Sequence, residues 1–318
     1  MNKLVSIIIP VYNRGHLIGE TLASILKQSY THWECIIVDD HSSDNTVDVV
    51  ESYVKKDDRI HLYKRDQERP KGANACRNIG FEKSTGIYIN FFDSDDLMHP
   101  DKLLLQVQHL NHHAYDFNVC QTLVFEGKFD GNGTPRSINL HSDDPFNDYV
   151  SHRIKWLTQA PLIKKEVLIN HKILFDEHLH QSQELDMFGR LLAQTTNYGV
   201  VDQALVFFRK HDQSISHGPA SATKLASSFR VRYQFVTGYP TLTTPAARRI
   251  LIKELIGLFV TALKQPAWRK SQMNREMYAQ LRHLMPEKKQ LWLLKLIYFS
   301  FQFTGKGEVF KGLLLKSI

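Results

Sequence analysis

The residues best suited to chemistry form an acidic cluster directly after an apolar run. The stretch "NFFDSDD" places Asp93, Asp95 and Asp96 within four positions. Carboxylates this close repel one another, so either solvent or a cation must offset their charge. Asp and Ser are also favoured in turns and at helix N-caps, and taken alone the stretch is most simply interpreted as an acidic turn. The elements around it decide between a turn and a cation site.

Length and composition indicate a globular protein of one large or two ordinary domains. The chain has 318 residues, of which 42% are hydrophobic. Its first residues resemble a buried strand more than a secretory signal. Three cysteines, Cys35, Cys76 and Cys120, lack CxxC spacing, which favours buried thiols in a reducing cytoplasm. We therefore expect a cytoplasmic protein.

The positive charge is concentrated in the last part of the chain. Residues 261–318 contain eleven Lys or Arg and three acidic residues, a balance of +8, whereas the whole chain has a net charge of +7. The remaining residues 1–260 thus carry about 7 − 8 = −1. A nucleic-acid-binding domain would spread basic residues over its own surface, so no nucleic acid partner is expected.

Apolar runs alternate with helical patterns through the first 110 residues. Strands that are apolar nearly throughout, separated by amphipathic helices, predict an α/β fold with a mainly parallel sheet covered on both faces. Ligands of such sheets bind beyond the carboxyl ends of the strands. Here those ends carry "PVYNR", "DD" and "DSDD", while GxGxxG and Walker A loops are absent. The pattern favours an acidic site that holds a nucleotide diphosphate through a divalent cation.

Five segments in order, "SIIIPVYNR", "IIVDDHSSDNT", "GANACRNIGF", "GIYINFFDSDD" and "FDEHLHQSQELDMFGRLL", resemble the family 2 glycosyltransferases of the GT-A fold. The resemblance runs from about residue 4 to residue 216 and reverses the interpretation of the acidic cluster in favour of a cation and nucleotide site. It implies a GT-A catalytic domain at residues 1–220. The pattern and charge of residues 221–318 predict a separate helical, basic region, which is expected to be a membrane or acceptor-side extension.

The resemblance also implies a donor site and a metal site. The expected donor-binding residues are Pro10, Tyr12, Asn13, Arg14, Asp40, Arg77, Asn78, Asp93, Ser94 and Asp95. The metal, Mn²⁺ or Mg²⁺, is expected at Asp95 and Asp93, with His211 as an additional ligand. Asp39 is expected to be structural and Asp96 to lie near the acceptor side. For Tyr12, Arg77 and His211 an ordinary strand-end, surface-helix or solvated position is the alternative to a role at the site.

The general base is the point where this sequence departs from the family pattern. An ungapped alignment through Phe175 and Arg190 puts Gln183 and Glu184 where the family has an acidic pair. Either Glu184 acts as the base with Asp186 in support, or Asp186 takes the proton, or the activity is lost. Because two positions along a helix point about 200° apart, both residues do not face one substrate equally. We favour Glu184, while solvated first-turn acids are the plain alternative.

The basic tail contains an apolar core at residues 291–303, interrupted by Lys295. This core is too short to span a bilayer, which takes about twenty apolar residues. Two interpretations stand side by side: residues 288–318 lie on an anionic membrane surface, or they form a buried helix that closes over the catalytic domain.

The predicted function is a metal-dependent inverting transfer of a sugar from a nucleotide-sugar, a UDP-sugar favoured, to a glycan or lipid-linked acceptor in surface polysaccharide synthesis. One alternative is a sugar-nucleotide-binding module that has lost its base, as Gln183 suggests. Another is a sugar-phosphate nucleotidyltransferase, which is disfavoured because the loop after the first strand has only Gly15 and Gly19 and is not Gly-rich and basic.

Overall fold

The computed structural model describes residues 3–211 and 221–318 of the chain. These residues pack as two compact units, each with its own core. The sheet unit comprises the described residues within 1–145, 154–178 and 186–217. The helical unit comprises those within 146–153, 179–185 and 218–318. The boundary predicted at residue 220 falls in 212–220, outside the described residues.

The sheet unit is built on one mixed sheet with strand order β3-β2-β1-β4-β8-β6-β9-β5, and β7 pairs with β6. Pairs β1–β2, β2–β3, β1–β4 and β6–β9 are parallel, and the remaining pairs are antiparallel. The strands are β1 Val5–Val11, β2 Trp33–Asp39, β3 Ile60–Lys64, β4 Tyr88–Phe91, β5 Leu97–Met98, β6 Phe117–Glu126, β7 Thr134–Pro135, β8 Leu162–Lys164 and β9 Tyr198–Lys210.

Helices connect the parallel strands, as the apolar periodicity predicts. The helices before residue 212 are α1 Ile18–Leu26, α2 Thr46–Val54, α3 Ala73–Lys83, α4 Lys102–His112, α5 Pro145–Val150, α6 Lys165–Asn170 and α7 Gln183–Leu192. All seven residues of β1 are buried between the neighbouring strands β2 and β4 and under helix α3. Helix α3 lies close against β1 at Gly80, where a Cβ would collide with the Ile8 side chain. The predicted α/β fold with a mainly parallel sheet is confirmed.

The helical unit contains five further helices: α8 Ala222–Gly238, α9 Pro245–Lys264, α10 Gln272–His283, α11 Lys288–Thr304 and α12 Glu308–Ser317. Side chains of Ser221, Thr244 and Ser271 cap the first three of these helices by accepting from backbone N–H groups. Gly305 ends α11 in the left-handed region, at φ 72°, where glycine carries no Cβ penalty.

Short elements account for most of the differences from the sequence prediction. Strands β5, β7 and β8 have two or three residues each, too few to show an alternating pattern. None of the helices within residues 3–211 and 221–318 is both long and apolar enough to cross a membrane.

Candidate active site

The acidic cluster lies in the loop after β4, at the carboxyl end of the parallel strands. Asp93 is held at both carboxylate oxygens. Arg77 Nη2 donates to Oδ1 at 2.7 Å, and Gln159 Nε2 donates to Oδ2 at 2.9 Å. Burial raises the pKa of Asp93, and the charge of Arg77 only partly offsets this. The Asp93 carboxylate is therefore held in one position at the edge of the site.

Asp95 is the point where three distant parts of the chain meet. Its Oδ2 accepts from Arg14 Nε at 3.2 Å and lies 3.0 Å from His211 Nε2. The three side chains are 13% to 19% exposed, so they remain in reach of solvent. The ends of β1, β4 and β9 supply one residue each. A carboxylate, a guanidinium and an imidazole thus converge at one edge of the sheet.

Asp95 and His211 are two of the expected metal ligands, and the structure brings them together. A carboxylate oxygen and an imidazole nitrogen are both ligand types that divalent cations accept. Here these two atoms lie 3.0 Å apart. In the part of the chain that the structure describes, no group of three or more His, Cys, Asp or Glu side chains is placed to hold a metal ion. Asp93, also expected at the metal, is engaged by Arg77 and Gln159. Of the three side chains expected at the metal, the structure thus brings Asp95 and His211 into direct contact.

Asp96, which the resemblance places near the acceptor side, is fully buried. Its side chain has 0% exposure, its Oδ1 accepts from the Arg209 N–H at 2.8 Å, and its Oδ2 contacts Gln159 Nε2. Burial, together with the charges of Asp95 and Asp93, raises its pKa well above the ordinary range. A fully buried carboxyl anchors the loop and cannot contact an acceptor.

Arg209 is a residue of the site that the sequence analysis missed. Its side chain is 7% exposed. Nε donates to the Asp95 carbonyl at 3.0 Å, Nη1 to the Gly127 carbonyl at 2.8 Å and Nη2 to Glu20 Oε2 at 2.5 Å. The guanidinium also lies 4.9 Å from the Phe125 ring centroid. This side chain ties the end of β9 to the acidic loop and so positions the neighbouring His211.

The loop after β1 is fixed by the loop after β2. Asn13 has a positive φ of 50° and its Oδ1 accepts from the Ser43 N–H at 2.8 Å. The Arg14 N–H donates to Thr46 Oγ1 at 2.8 Å. Asn has a higher tolerance for this backbone region than most residues, and its side chain bonds local backbone. Asn13 therefore shapes the loop that aims Arg14 at the acidic cluster.

Tyr12 is the exposed aromatic of this loop, with 40% relative exposure. Lys71 Nζ lies 4.1 Å from its ring centroid, a cation–π contact that the sequence analysis did not foresee. Pro10 is buried within β1 opposite Val38, and Ser94 is 7% exposed. Pro10 and Ser94 are therefore covered, whereas the Tyr12 ring is accessible to a ligand.

Asp40, an expected donor contact, is paired with Arg65. Arg65 Nε donates to Asp40 Oδ1, and its Nη1 donates to the Arg69 carbonyl at 2.6 Å. Arg77 turns instead to Asp93. Asp39, expected to be structural, accepts from the Ser42 N–H at 3.0 Å.

Asn78 points away from the acidic cluster. Its Nδ2 donates to the Phe175 carbonyl at 2.9 Å and to Glu177 Oε1 at 2.8 Å, and its Oδ1 accepts from the Phe175 N–H at 3.0 Å. Adjacent helix positions lie about 100° apart, so Arg77 and Asn78 face different neighbours. The amide of Asn78 holds the segment that precedes α7 in the chain, so it does not match the expected donor contact.

Helix α7 carries both candidate bases in different environments. Asp186 is 3% exposed, and its Oδ2 accepts from Arg190 Nη2 at 2.6 Å and Nε at 3.0 Å. Glu184 is half-buried, and its backbone carbonyl accepts from the Tyr149 hydroxyl at 3.3 Å. Burial, followed by the charge of Glu184, raises the Tyr149 pKa well above 10. Asp186 is a structural ion-pair partner, while Glu184 is the more accessible carboxylate.

The mainly parallel sheet with helices against it has the GT-A fold, which a solved structure shares. The structure superposes on TarS 1-349 of S. aureus, solved in complex with UDP-GlcNAc, with a TM-score of 0.69 and 17% identity. The match covers 98% of this chain and 90% of that one. At this identity the likeness shows the fold.

The chain belongs to glycosyl transferase family 2, whose model matches residues 6–170, and it is thus a glycosyltransferase. TuaG of Bacillus subtilis, named for teichuronic acid biosynthesis, is 30% identical over 231 residues, which cover 70% of this chain and 84% of that protein. The glucosyltransferase WfgD of Escherichia coli is 43% identical over 104 residues, covering 33% of this chain and 40% of that protein. Membership of this family confirms the predicted resemblance and argues against a nucleotidyltransferase.

Proposed function

We propose that this glycosyltransferase moves a sugar from a UDP-sugar, with inversion and with the help of Mn²⁺ or Mg²⁺, to a glycan or lipid-linked acceptor in surface polysaccharide synthesis. The convergence of Arg14, Asp95 and His211 at the carboxyl edge of the sheet carries this proposal. These groups suit a diphosphate and its counter-cation, because a carboxylate and an imidazole ligate the ion and a guanidinium meets phosphate oxygens.

The donor class is supported by the relatives and by the loop that holds Tyr12. TarS was solved with UDP-GlcNAc, and WfgD is named as an enzyme that uses UDP-Glc. In this chain an exposed tyrosine ring and the buried Asp40–Arg65 pair stand at the ends of β1 and β2. An aromatic face stacks on a base, and a fixed carboxylate accepts from a ring N–H.

The acceptor class is supported by the same relatives. TuaG is named for teichuronic acid biosynthesis, and WfgD for transfer to a GlcNAc attached to diphosphoundecaprenol. A lipid-linked acceptor would place this enzyme at a membrane surface on the cytoplasmic side. Residues 288–318 are the segment that we expect to make this peripheral contact.

Each residue of the site has a defined part in the proposed reaction. The bound cation would be held by Asp95 and His211, and it would neutralise charge on the leaving diphosphate. Arg77 and Gln159 keep Asp93 fixed beside it. Glu184 takes the proton from the attacking acceptor hydroxyl, because Asp186 is buried and paired with Arg190. Direct attack opposite the leaving group inverts the anomeric configuration.

Calorimetric titration with UDP, GDP and dTDP, each with and without Mn²⁺, tests the donor and the metal. We expect UDP to bind, Mn²⁺ to tighten binding at least tenfold, and Asp95→Asn to abolish this gain while the protein stays folded. Asp66→Asn is a matched control, since Asp66 lies on an exposed turn after β3. Metal-independent binding of UDP would overturn the metal assignment, and binding of another nucleotide alone would overturn the donor.

A further inference from the structure

The helical unit carries a group of large apolar side chains that no other described residue covers. Trp292, Phe299 and Phe303 on α11 are 59%, 49% and 84% exposed. Val309 and Leu313 on the packed neighbour α12 are 77% and 50% exposed. We call these five residues the α11–α12 patch. Most surface apolar residues occur singly, so a cluster of this kind marks an interaction surface.

The apolar residues of α11 lie on two opposite sides of the helix. Leu293, Leu294, Ile297 and Phe301 are buried at 2% exposure or less and hold the helix in its unit. The exposed aromatics follow one another at intervals of seven and four residues, which places them along a single stripe. A surface helix needs only one apolar face for packing. The second face is left uncovered by the described residues and is available to a partner.

Positive charge surrounds the patch. Residues 288–318 contain six lysines and a single acidic residue, Glu308, whose carboxylate is paired with Lys264 at 2.5 Å. Lys288, Lys289 and Lys295 are exposed on α11 beside the aromatic stripe. Lysine heads beside an apolar surface suit a partner with an apolar interior and an anionic rim.

We propose that the α11–α12 patch docks on a bilayer that contains anionic lipids, with α11 lying in the plane of the interface. Aromatic rings enter the headgroup boundary and lysines meet phosphate groups there. A second copy of this chain fits less well, because a two-fold contact would bring the same lysines face to face. The inference rests on the membrane contact in the proposed function and deepens it by naming the surface and the lipid charge.

Flotation of the full-length protein with vesicles tests this surface. One set contains equal parts of phosphatidylcholine and phosphatidylglycerol, and the other only phosphatidylcholine. The variant Trp292→Ser/Phe299→Ser/Phe303→Ser removes the stripe. A matched control, Ile138→Ser/Ile169→Ser/Leu242→Ser, removes three exposed apolar residues elsewhere. Circular dichroism checks that all three proteins are folded.

We expect the wild type and the control to float with the anionic vesicles and not with the neutral ones. The stripe variant should lose roughly tenfold or more of this partitioning, because three interfacial aromatics are gone. Flotation of the stripe variant equal to that of the wild type would overturn the proposal. If the wild type does not float and is a dimer in solution, while the stripe variant is a monomer, the patch would be assigned to self-association instead.

Tryptophan fluorescence locates the contact. Trp292 is 59% exposed, whereas Trp33 and Trp156 are 2% and 4% exposed. We expect the fluorescence of the wild type to shift to the blue when anionic vesicles are added. Trp292→Phe should still bind the vesicles but should lose this shift. The stripe variant should bind UDP as the wild type does. Because UDP binding and flotation are measured separately, failure of the membrane surface and failure of the proposed donor site give different results.

Discussion

At the scale of single residues, the two acids of α7 differ in what surrounds them, although they are only two positions apart. Asp186 is committed to Arg190, while Glu184 is half-buried in the helical unit. A general base needs access to the proton that it accepts. Accessibility therefore favours Glu184 over Asp186 as the proposed base.

We expect Glu184→Gln to lower turnover of UDP-GlcNAc or UDP-Glc by about a hundredfold or more, in the range seen for loss of a general base. Its thermal midpoint should stay near that of the wild type. Asp186→Asn should instead lower stability by roughly 3 kcal/mol, because the Arg190 charge loses its buried partner. Turnover per folded molecule of this second variant should change only a few-fold. Product release assays and thermal melts measure the two effects, and a reversed pattern would make Asp186 the base.

At the scale of elements, a buried polar network joins α4, β6 and the segment that presents Gln159 to the acidic cluster. Lys102 Nζ donates to Gln106 Oε1 at 2.6 Å, and Gln106 Nε2 donates to the Ala160 carbonyl at 2.9 Å and to Asn118 Oδ1 at 3.0 Å. Buried polar groups that satisfy one another fix a unique geometry. The network thus helps to hold Gln159 against Asp93.

Lys102 makes the stability of this network depend on pH. Its side chain is fully buried, and burial lowers its pKa to about 8. In the unfolded chain the amine keeps its proton up to about pH 10.4. Between these values unfolding takes up a proton, so this residue makes stability rise with pH across that window and lowers it below pH 8.

We expect the wild type to gain roughly 3 kcal/mol relative to Lys102→Met between about pH 8 and about pH 10.4. Urea unfolding of both proteins over this range measures the difference. Cys35 and Cys76 are present in both chains and cancel in the difference curve. The curve therefore reports Lys102 together with its charge interaction with Cys120. Parallel curves for the two proteins would show that folding does not lower the pKa of Lys102.

At the scale of the whole molecule, each unit is assembled from separate parts of the chain. Within the helical unit, Asn147 Nδ2 donates to the Leu242 carbonyl at 2.9 Å, and the Thr244 N–H donates to Asn147 Oδ1 at 2.8 Å. The His180 N–H donates to Ser227 Oγ at 3.1 Å. Residues 146–153 and 179–185 therefore depend on helices that follow residue 220.

A fragment ending at residue 220 should consequently be less stable than the full chain. It exposes Phe146, which packs on Phe235 with ring centroids 6.0 Å apart, and it removes the Leu242 carbonyl that accepts from Asn147 Nδ2. Losses of this kind total several kcal/mol, which lowers the thermal midpoint by roughly 10 °C or more. Calorimetry on both chains tests this. An equal midpoint with retained near-ultraviolet dichroism would support an independent domain at residues 1–220.

The sequence pattern of short stretches was enough to predict the fold class, several site residues and the family of this protein. Apolar runs separated by amphipathic helices fixed the α/β class, because period and turn chemistry are properties of short stretches. The motifs also marked Arg14, Asp95 and His211 as candidates. Their order along the chain indicated the family, which the comparison with relatives confirmed.

Only the tertiary structure decided which side chains meet. Arg14, Asp95 and His211 are far apart in sequence, and Gln159 and Arg209 carry no local signal of a role. The pairing of Asp40 with Arg65 does not follow from periodicity. Nor does the exposure of one face of α11, since the sequence pattern of an apolar helix face is the same whether that face is buried or exposed. Partner choice and burial depend on packing between distant segments, and a pattern of neighbours in the chain does not contain that information.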